Sequence, residues 1–195
     1  MQINKTYMNC FSSQWIKKRT KKPTAIVIHH TCTKSPEKTK SALKCNGCST
    51  HFEVDVDGTV YQYVDVMEIA SHCGAPNVHS IGIDVTHLEN AEFPKVQQKS
   101  VQELVSWLCS EWDIPQVVYL ELEGIWPHCA LGDTVCPNGF PMEILGEVVT
   151  QERDEVSLCK EMMEIGLSHG RVNELVEMAI SHPEFMDALK KKGKL

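Results

Sequence analysis

The stretch IVIHHTCT (26–33) sets two histidines at the end of a short β-branched run. Such a run reads as a buried strand, and an imidazole at its end either packs or binds something. Further along, His128 and Cys136 stand eight residues apart in HCALGDTVCP, a loop that also holds Gly132 and Pro137. Imidazole and thiolate are both good zinc ligands, and a loop of this length can bend the two side chains onto one ion. Two ligands do not make a site. A third must come from elsewhere in the fold, and a strand-end histidine is well placed to supply it. Asp84 lies between these pieces, in SIGIDVTHL. A period of two puts Ile81, Ile83 and Val85 on one face and Gly82, Asp84 and Thr86 on the other, so Asp84 points away from the aliphatic side. Cys45 and Cys48 form a CxxC pair, but no second pair accompanies them and no thioredoxin-like pattern surrounds them. They read as ordinary thiols.

The elements that must position these groups can be read in order. A polar, basic arm (1–22) precedes Pro23 and a strand over Thr24–His30. KSPEKTKSALKCNGCS has turn residues at both ends and room for a short helix. THFEVDVDGTVYQYV alternates through Phe52, Val54 and Val56 into Asp57-Gly58 and a second run, the strongest hairpin signal in the chain. SIGIDVTHL supplies the next strand. From Lys99 to Trp112, Val101, Leu104, Val105, Leu108 and Trp112 repeat at helical spacing. VVYLEL (117–122) predicts a further strand leading into the His128–Cys136 loop. Beyond Glu143 the pattern is helical alone: Val172, Leu175, Val176, Ala179 and Ile180 form a stripe, and Ser181-His182-Pro183 caps a last short helix. The expected organisation is a main domain over 1–150 and a helical extension over 151–195.

The 195 residues carry 42% hydrophobic and 23% charged residues, an ordinary globular balance. The formal net charge is −7, and the lysines are scattered or confined to the ends, which argues against a nucleic-acid partner. No apolar run approaches a membrane span, and the first residues lack the basic start and apolar core of a signal peptide, so a cytoplasmic protein is expected. Nine cysteines in such a chain favour reduced thiols, some bound to metal, over a disulfide framework.

Taken in order, IVIHHT, STHFEVDVDGTVYQYV, ASHCGAPNVHSIGID and HCALGDTVCP resemble the zinc-dependent N-acetylmuramoyl-L-alanine amidases, over about Ile26 to Leu145. That family includes phage lysozyme-amidases, peptidoglycan recognition proteins and cytoplasmic muropeptide-recycling amidases. The resemblance implies an α/β fold: a central mixed sheet of about five strands, packed helices and a zinc groove at one sheet face. It also implies Zn2+ held by His29, His128 and Cys136, with His30 turned to the opposite face. Recycling-type relatives carry a glutamate directly after SIGI. This chain has Asp84 there, one methylene shorter, as the candidate general base. Thr134 stands where relatives present an oxyanion donor. Thr50 replaces the tyrosine of the lytic members, and His72 and Asn77 match a segment beside the substrate groove.

The implied activity is hydrolysis of the amide between N-acetylmuramic acid and L-alanine in peptidoglycan or muropeptides. The protein would then be either a phage endolysin acting on the cell wall after release or a cytoplasmic amidase. The alternative is an amidase-fold protein that binds muropeptides, or another amide or protein partner, without cutting peptidoglycan. Retention of Cys136 favours catalysis; the departures at Thr50 and Asp84 and the acidic tail keep the alternative open. The C-terminal helices offer a surface for a protein partner.

Overall fold

Among the described residues, ten strands and two α-helices follow one another along the chain. They are β1 (Ile3–Asn4), β2 (Lys17–Lys18), β3 (Ala25–His30), α1 (Pro36–Cys45), β4 (Phe52–Val54), β5 (Val60–Gln62), β6 (Glu68–Ile69), β7 (Ser80–Val85), α2 (Lys95–Trp112), β8 (Val117–Val118), β9 (Gly124–Pro127) and β10 (Glu147–Val148). The structure, a computed structural model, describes residues 2–5, 11, 17–88, 91–118 and 123–148. The backbone falls into two compact units, Met1–Val149 and Thr150–Leu195, and all described residues belong to the first. The tail stripe over Val172–Ile180, the Ser181-His182-Pro183 cap and the later part of the VVYLEL run lie outside the described residues.

Eight strands form one mixed sheet in the order β1-β5-β4-β7-β3-β9-β8-β10, and β2 pairs with β6 in a small second ribbon. Four of the five longer central strands, β3, β4, β5 and β7, fall on the expected runs. The two-residue strands β1, β8 and β10 extend its edges; β8 opens the expected run at 117–122, while β1 and β10 are too short to carry a hydrophobic period. Among the described residues of the large sheet only β4 and β5 pair antiparallel, through the expected hairpin. Gly58 turns that hairpin at φ 85°, a left-handed conformation in which a side chain would be strained. β9 was not legible as a strand, because GIWP is bounded by glycine and proline, yet it pairs in parallel with β3 from Ala25↔Gly124 to Ile28↔Pro127.

The β3–β7 register sets Ile26 beside Ile81 and Ile28 beside Ile83, and β4 adds Phe52 beside Ile83. This aliphatic face packs against Val101, Leu104, Val105 and Leu108 of α2, all fully buried. Helix α2 starts at Lys95, directly after Pro94, four residues before the expected start at Lys99. Its buried Gln97 donates to the Val54 and Thr86 carbonyls at 3.1 and 2.7 Å, tying the helix start to the ends of β4 and β7. The sheet's other face therefore carries the alternate residues Val27, His29, Gly82, Asp84 and Glu53.

Candidate metal centre

In parallel sheets, ligands bind where strands end, because the loops that leave there can converge. His29 lies near the end of β3, buried on the face away from α2. β9, the neighbour of β3, ends at Pro127, and the chain tightens into a 3-10 turn over His128–Ala130. This sets the His128 ring against that of His29, with centroids 4.5 Å apart. The following loop is closed by the Cys129 N–H donating to the Cys136 carbonyl at 2.6 Å. The Cys136 Sγ lies 3.9 Å from His29 Nδ1 and accepts the His30 backbone N–H at 3.2 Å. One ligand atom each of His29, His128 and Cys136 falls within 4.8 Å of the others, the one group of metal-binding geometry among the described residues. Cys45 and Cys48 stand outside it as free thiols.

The donor set fits a metal. Burial, helped by the neighbouring His128 and His30, holds His29 down at about 3, and burial also lowers His128. Both rings are therefore neutral at pH 7, the ligating form. Burial pushes the Cys136 thiol up to about 12, while the His30 N–H favours its thiolate. One sulfur and two imidazole nitrogens suit a borderline-soft cation, and three protein donors leave a fourth position open.

Beside His29 the parallel register places Asp84, and beside Asp84 it places Glu53, so three polar residues form a row across β3, β7 and β4. Asp84 is 6% exposed. Burial first, then the Glu53 carboxyl, pushes it up to about 8, against a hydrogen bond from Thr50. Thr50 has no exposed surface, and its Oγ1 also lies 3.4 Å from the Phe52 carbonyl. Glu53 is a site-face residue that the sequence reading missed. It is fully buried, its Oε1 accepts the Thr39 and Thr86 hydroxyls at 2.6 Å each, and its Oε2 accepts the Tyr63 hydroxyl. Burial raises its pKa and the three hydroxyls oppose that rise. The available signal was its place in the polar phase of FEVDV, which alternation alone assigns to solvent.

The remaining expected residues border this row. The Thr134 Oγ1 accepts the Cys136 N–H at 3.2 Å, which leaves its hydroxyl proton available to donate. The His72 Nδ1 lies 3.0 Å from His29 Nε2, on the edge of the ring opposite the thiol. The Asn77 Oδ1 accepts the His72 and Cys73 N–H groups at 3.1 and 2.8 Å, so its carbonyl holds the loop that carries His72. Arg19, also missed, is buried and donates to the Val66, Asn77, Val78 and Ser80 carbonyls around that loop.

The Amidase_2 model, N-acetylmuramoyl-L-alanine amidase, matches residues 19–139, more than half of the chain, and the chain belongs to this family. Among solved structures it is similar to the N-acetylmuramoyl-L-alanine amidase LysC from Clostridium intestinale URNW, at 25% identity and TM-score 0.60, over 74% of this chain and 95% of that one. The Ph2119 endolysin from Thermus scotoductus MAT2119 bacteriophage Ph2119 shares the fold at 20% identity and TM-score 0.58, over 75% of this chain and 100% of that one. So does a mutant of Drosophila PGRP-LB in complex with tracheal cytotoxin, at 18% identity and TM-score 0.52, over 66% of this chain and 82% of that one. No curated protein matches the sequence. No helix among the described residues is long and apolar enough to cross a membrane.

Proposed function

We propose that this protein hydrolyses the amide between N-acetylmuramic acid and L-alanine in peptidoglycan, with zinc held by His29, His128 and Cys136. The observation that carries the reading is the β3–β7 register, which sets the Asp84 carboxyl beside a ligand of the three-donor cluster. Zinc bound there would polarise the amide carbonyl and make water a nucleophile at neutral pH. The chain's own residues supply the proton handling. A carboxyl with a pKa near the working pH can take a proton from water and return it to the leaving amine, and burial beside Glu53 brings Asp84 into that range. Thr50 orients Asp84. Thr134 donates its hydroxyl proton toward the oxygen that gains charge. His72 and Asn77 form the groove wall next to the ligands. The likeness to LysC, itself an N-acetylmuramoyl-L-alanine amidase, supports this choice of bond. The wall polymer, cut as an endolysin would cut it, is the substrate proposed.

The test is digestion of purified peptidoglycan by the zinc-loaded chain, with mass analysis of the products. The expected products are stem peptides with a new L-alanine amino terminus and glycan strands of unaltered length. Protein that sediments with peptidoglycan and carries zinc but releases no peptide would establish the binding-only alternative.

A further inference from the structure

We propose that His72 is a positioning residue that fixes the tautomer of His29, so that the His29 Nδ1 lone pair faces the metal position before any ion arrives. The inference rests on the metal-site reading above and concerns what stands behind the ligand. It follows from a chain of hydrogen bonds that ends on a group able only to accept. The Ser80 hydroxyl lies 2.8 Å from the Pro76 carbonyl, and its single proton goes there. The Ser80 oxygen then faces His72 Nε2 at 3.3 Å as an acceptor, so the His72 proton sits on Nε2. That leaves the His72 Nδ1 as a lone pair, 3.0 Å from His29 Nε2. The His29 proton must therefore sit on Nε2, and the lone pair on Nδ1, the atom 3.9 Å from the Cys136 Sγ.

The surrounding chain is cut to hold this arrangement. The His72 ring lies flat against β7 at Gly82, where an added Cβ would stand 2.7 Å from the His72 Cγ and 2.9 Å from its Nδ1. Any side chain at position 82 would push the ring away from His29. The Asn77 carbonyl pins the His72 backbone N–H at 3.1 Å, and the two rings meet edge to face with centroids 5.1 Å apart. Outer partners of this kind commonly change metal affinity by about 10–100-fold when removed.

Two measurements on the full chain decide the matter. Long-range nitrogen–proton NMR of the metal-stripped protein should find His29 protonated at Nε2 in wild type and as a tautomer mixture in His72→Ala. Competition with a chromophoric chelator should find zinc held about 10–100-fold less tightly by His72→Ala. His72→Asn keeps an acceptor near the Nδ1 position and should restore most of that affinity. Gly82→Ala should match the His72→Ala loss, with circular dichroism unchanged in every variant. His29 protonated at Nδ1 in wild type would overturn the proposal. So would equal zinc affinity in wild type and folded His72→Ala, or an Asn variant as weak as Ala. A wild type that takes up no zinc would remove the proposed activity instead, and the tautomer measurement would still decide the role of His72.

Discussion

A buried carboxyl beside another buried carboxyl is costly unless one holds a proton, and Asp84 and Glu53 are such neighbours. Three hydroxyls surround Glu53, whereas Asp84 receives one, from Thr50. The three hydroxyls favour the charged form of Glu53, so in the proposed mechanism Asp84 is the member of the pair that exchanges protons with substrate. Asp84→Asn should keep the metal and lower turnover of a muramoyl-peptide by about 10²–10⁴-fold. A fully active Asn variant with normal zinc content would make Asp84 structural. Asp84→Glu should retain activity, since it restores the length that recycling-type relatives carry. Glu53→Gln removes the like charge that raises Asp84, so the rising limb of the kcat/KM pH profile should move to lower pH. An unmoved limb would mean that Glu53 does not face the reacting carboxyl electrostatically. Of this residue set, Asp84 was legible from a strand phase opposite Ile81, Ile83 and Val85, whereas the choice of His29 over His30 came from the family resemblance. Glu53 was not legible, because alternation cannot tell a solvated face from one closed by two threonines and a tyrosine.

The elements place their chemistry by ending together. β3 and β9 run parallel and deliver His29 and His128, while β7 delivers Asp84 at the same height. The order of motifs pointed to this, but the strand that carries His128 did not announce itself in GIWP. The small β2–β6 ribbon was equally illegible, since Lys17-Lys18 reads as a basic arm. Its consequence is Arg19, one residue beyond β2, whose guanidinium is buried and meets carbonyls at Val66, Asn77, Val78 and Ser80. Burial lowers its pKa to about 10, so it remains charged at pH 7. The planar fork reaches acceptors in several directions, which a lysine ammonium cannot reproduce. Arg19→Ala should destabilise the fold by on the order of 3 kcal/mol or more, because several buried carbonyls lose their donor. Arg19→Lys should recover only part of this. Urea denaturation of the three proteins measures it, and an Ala variant as stable as wild type would mean that water replaces the guanidinium.

At the scale of the whole molecule, every proposed ligand and the core built on α2 lie within Met1–Val149. A chain ending at Gln151 should therefore melt cooperatively and bind one zinc ion, as read by circular dichroism and elemental analysis. An insoluble or unfolded truncation would place residues 152–195 in the core.

The same unit gathers buried groups whose protons set its pH range. Burial holds His29 and His51 down at about 3, and His72 well below its ordinary value. In the unfolded chain each would titrate near about 6.5. From about pH 6.5 down to about 3 the unfolded state therefore binds more protons at these rings, and stability falls as pH falls. Asp84 works in the other direction. Its pKa rises from 3.8 to about 8 on folding, so the folded state holds the extra proton and stability falls as pH rises through that window. Below about pH 6.5 the three imidazoles oppose Asp84 and the raised Glu53; above it the histidines are neutral in both states and no longer oppose the Asp84 slope. The metal-stripped protein should thus be most stable near about pH 6–7, with urea midpoints falling on both sides. Asp84→Asn, which carries no proton to lose, should flatten the decline between about pH 6.5 and 8 and leave the acid side in place. A wild-type midpoint that climbs steadily to about pH 8, or an Asn variant that keeps the alkaline decline, would show that Asp84 is not the buried group responsible.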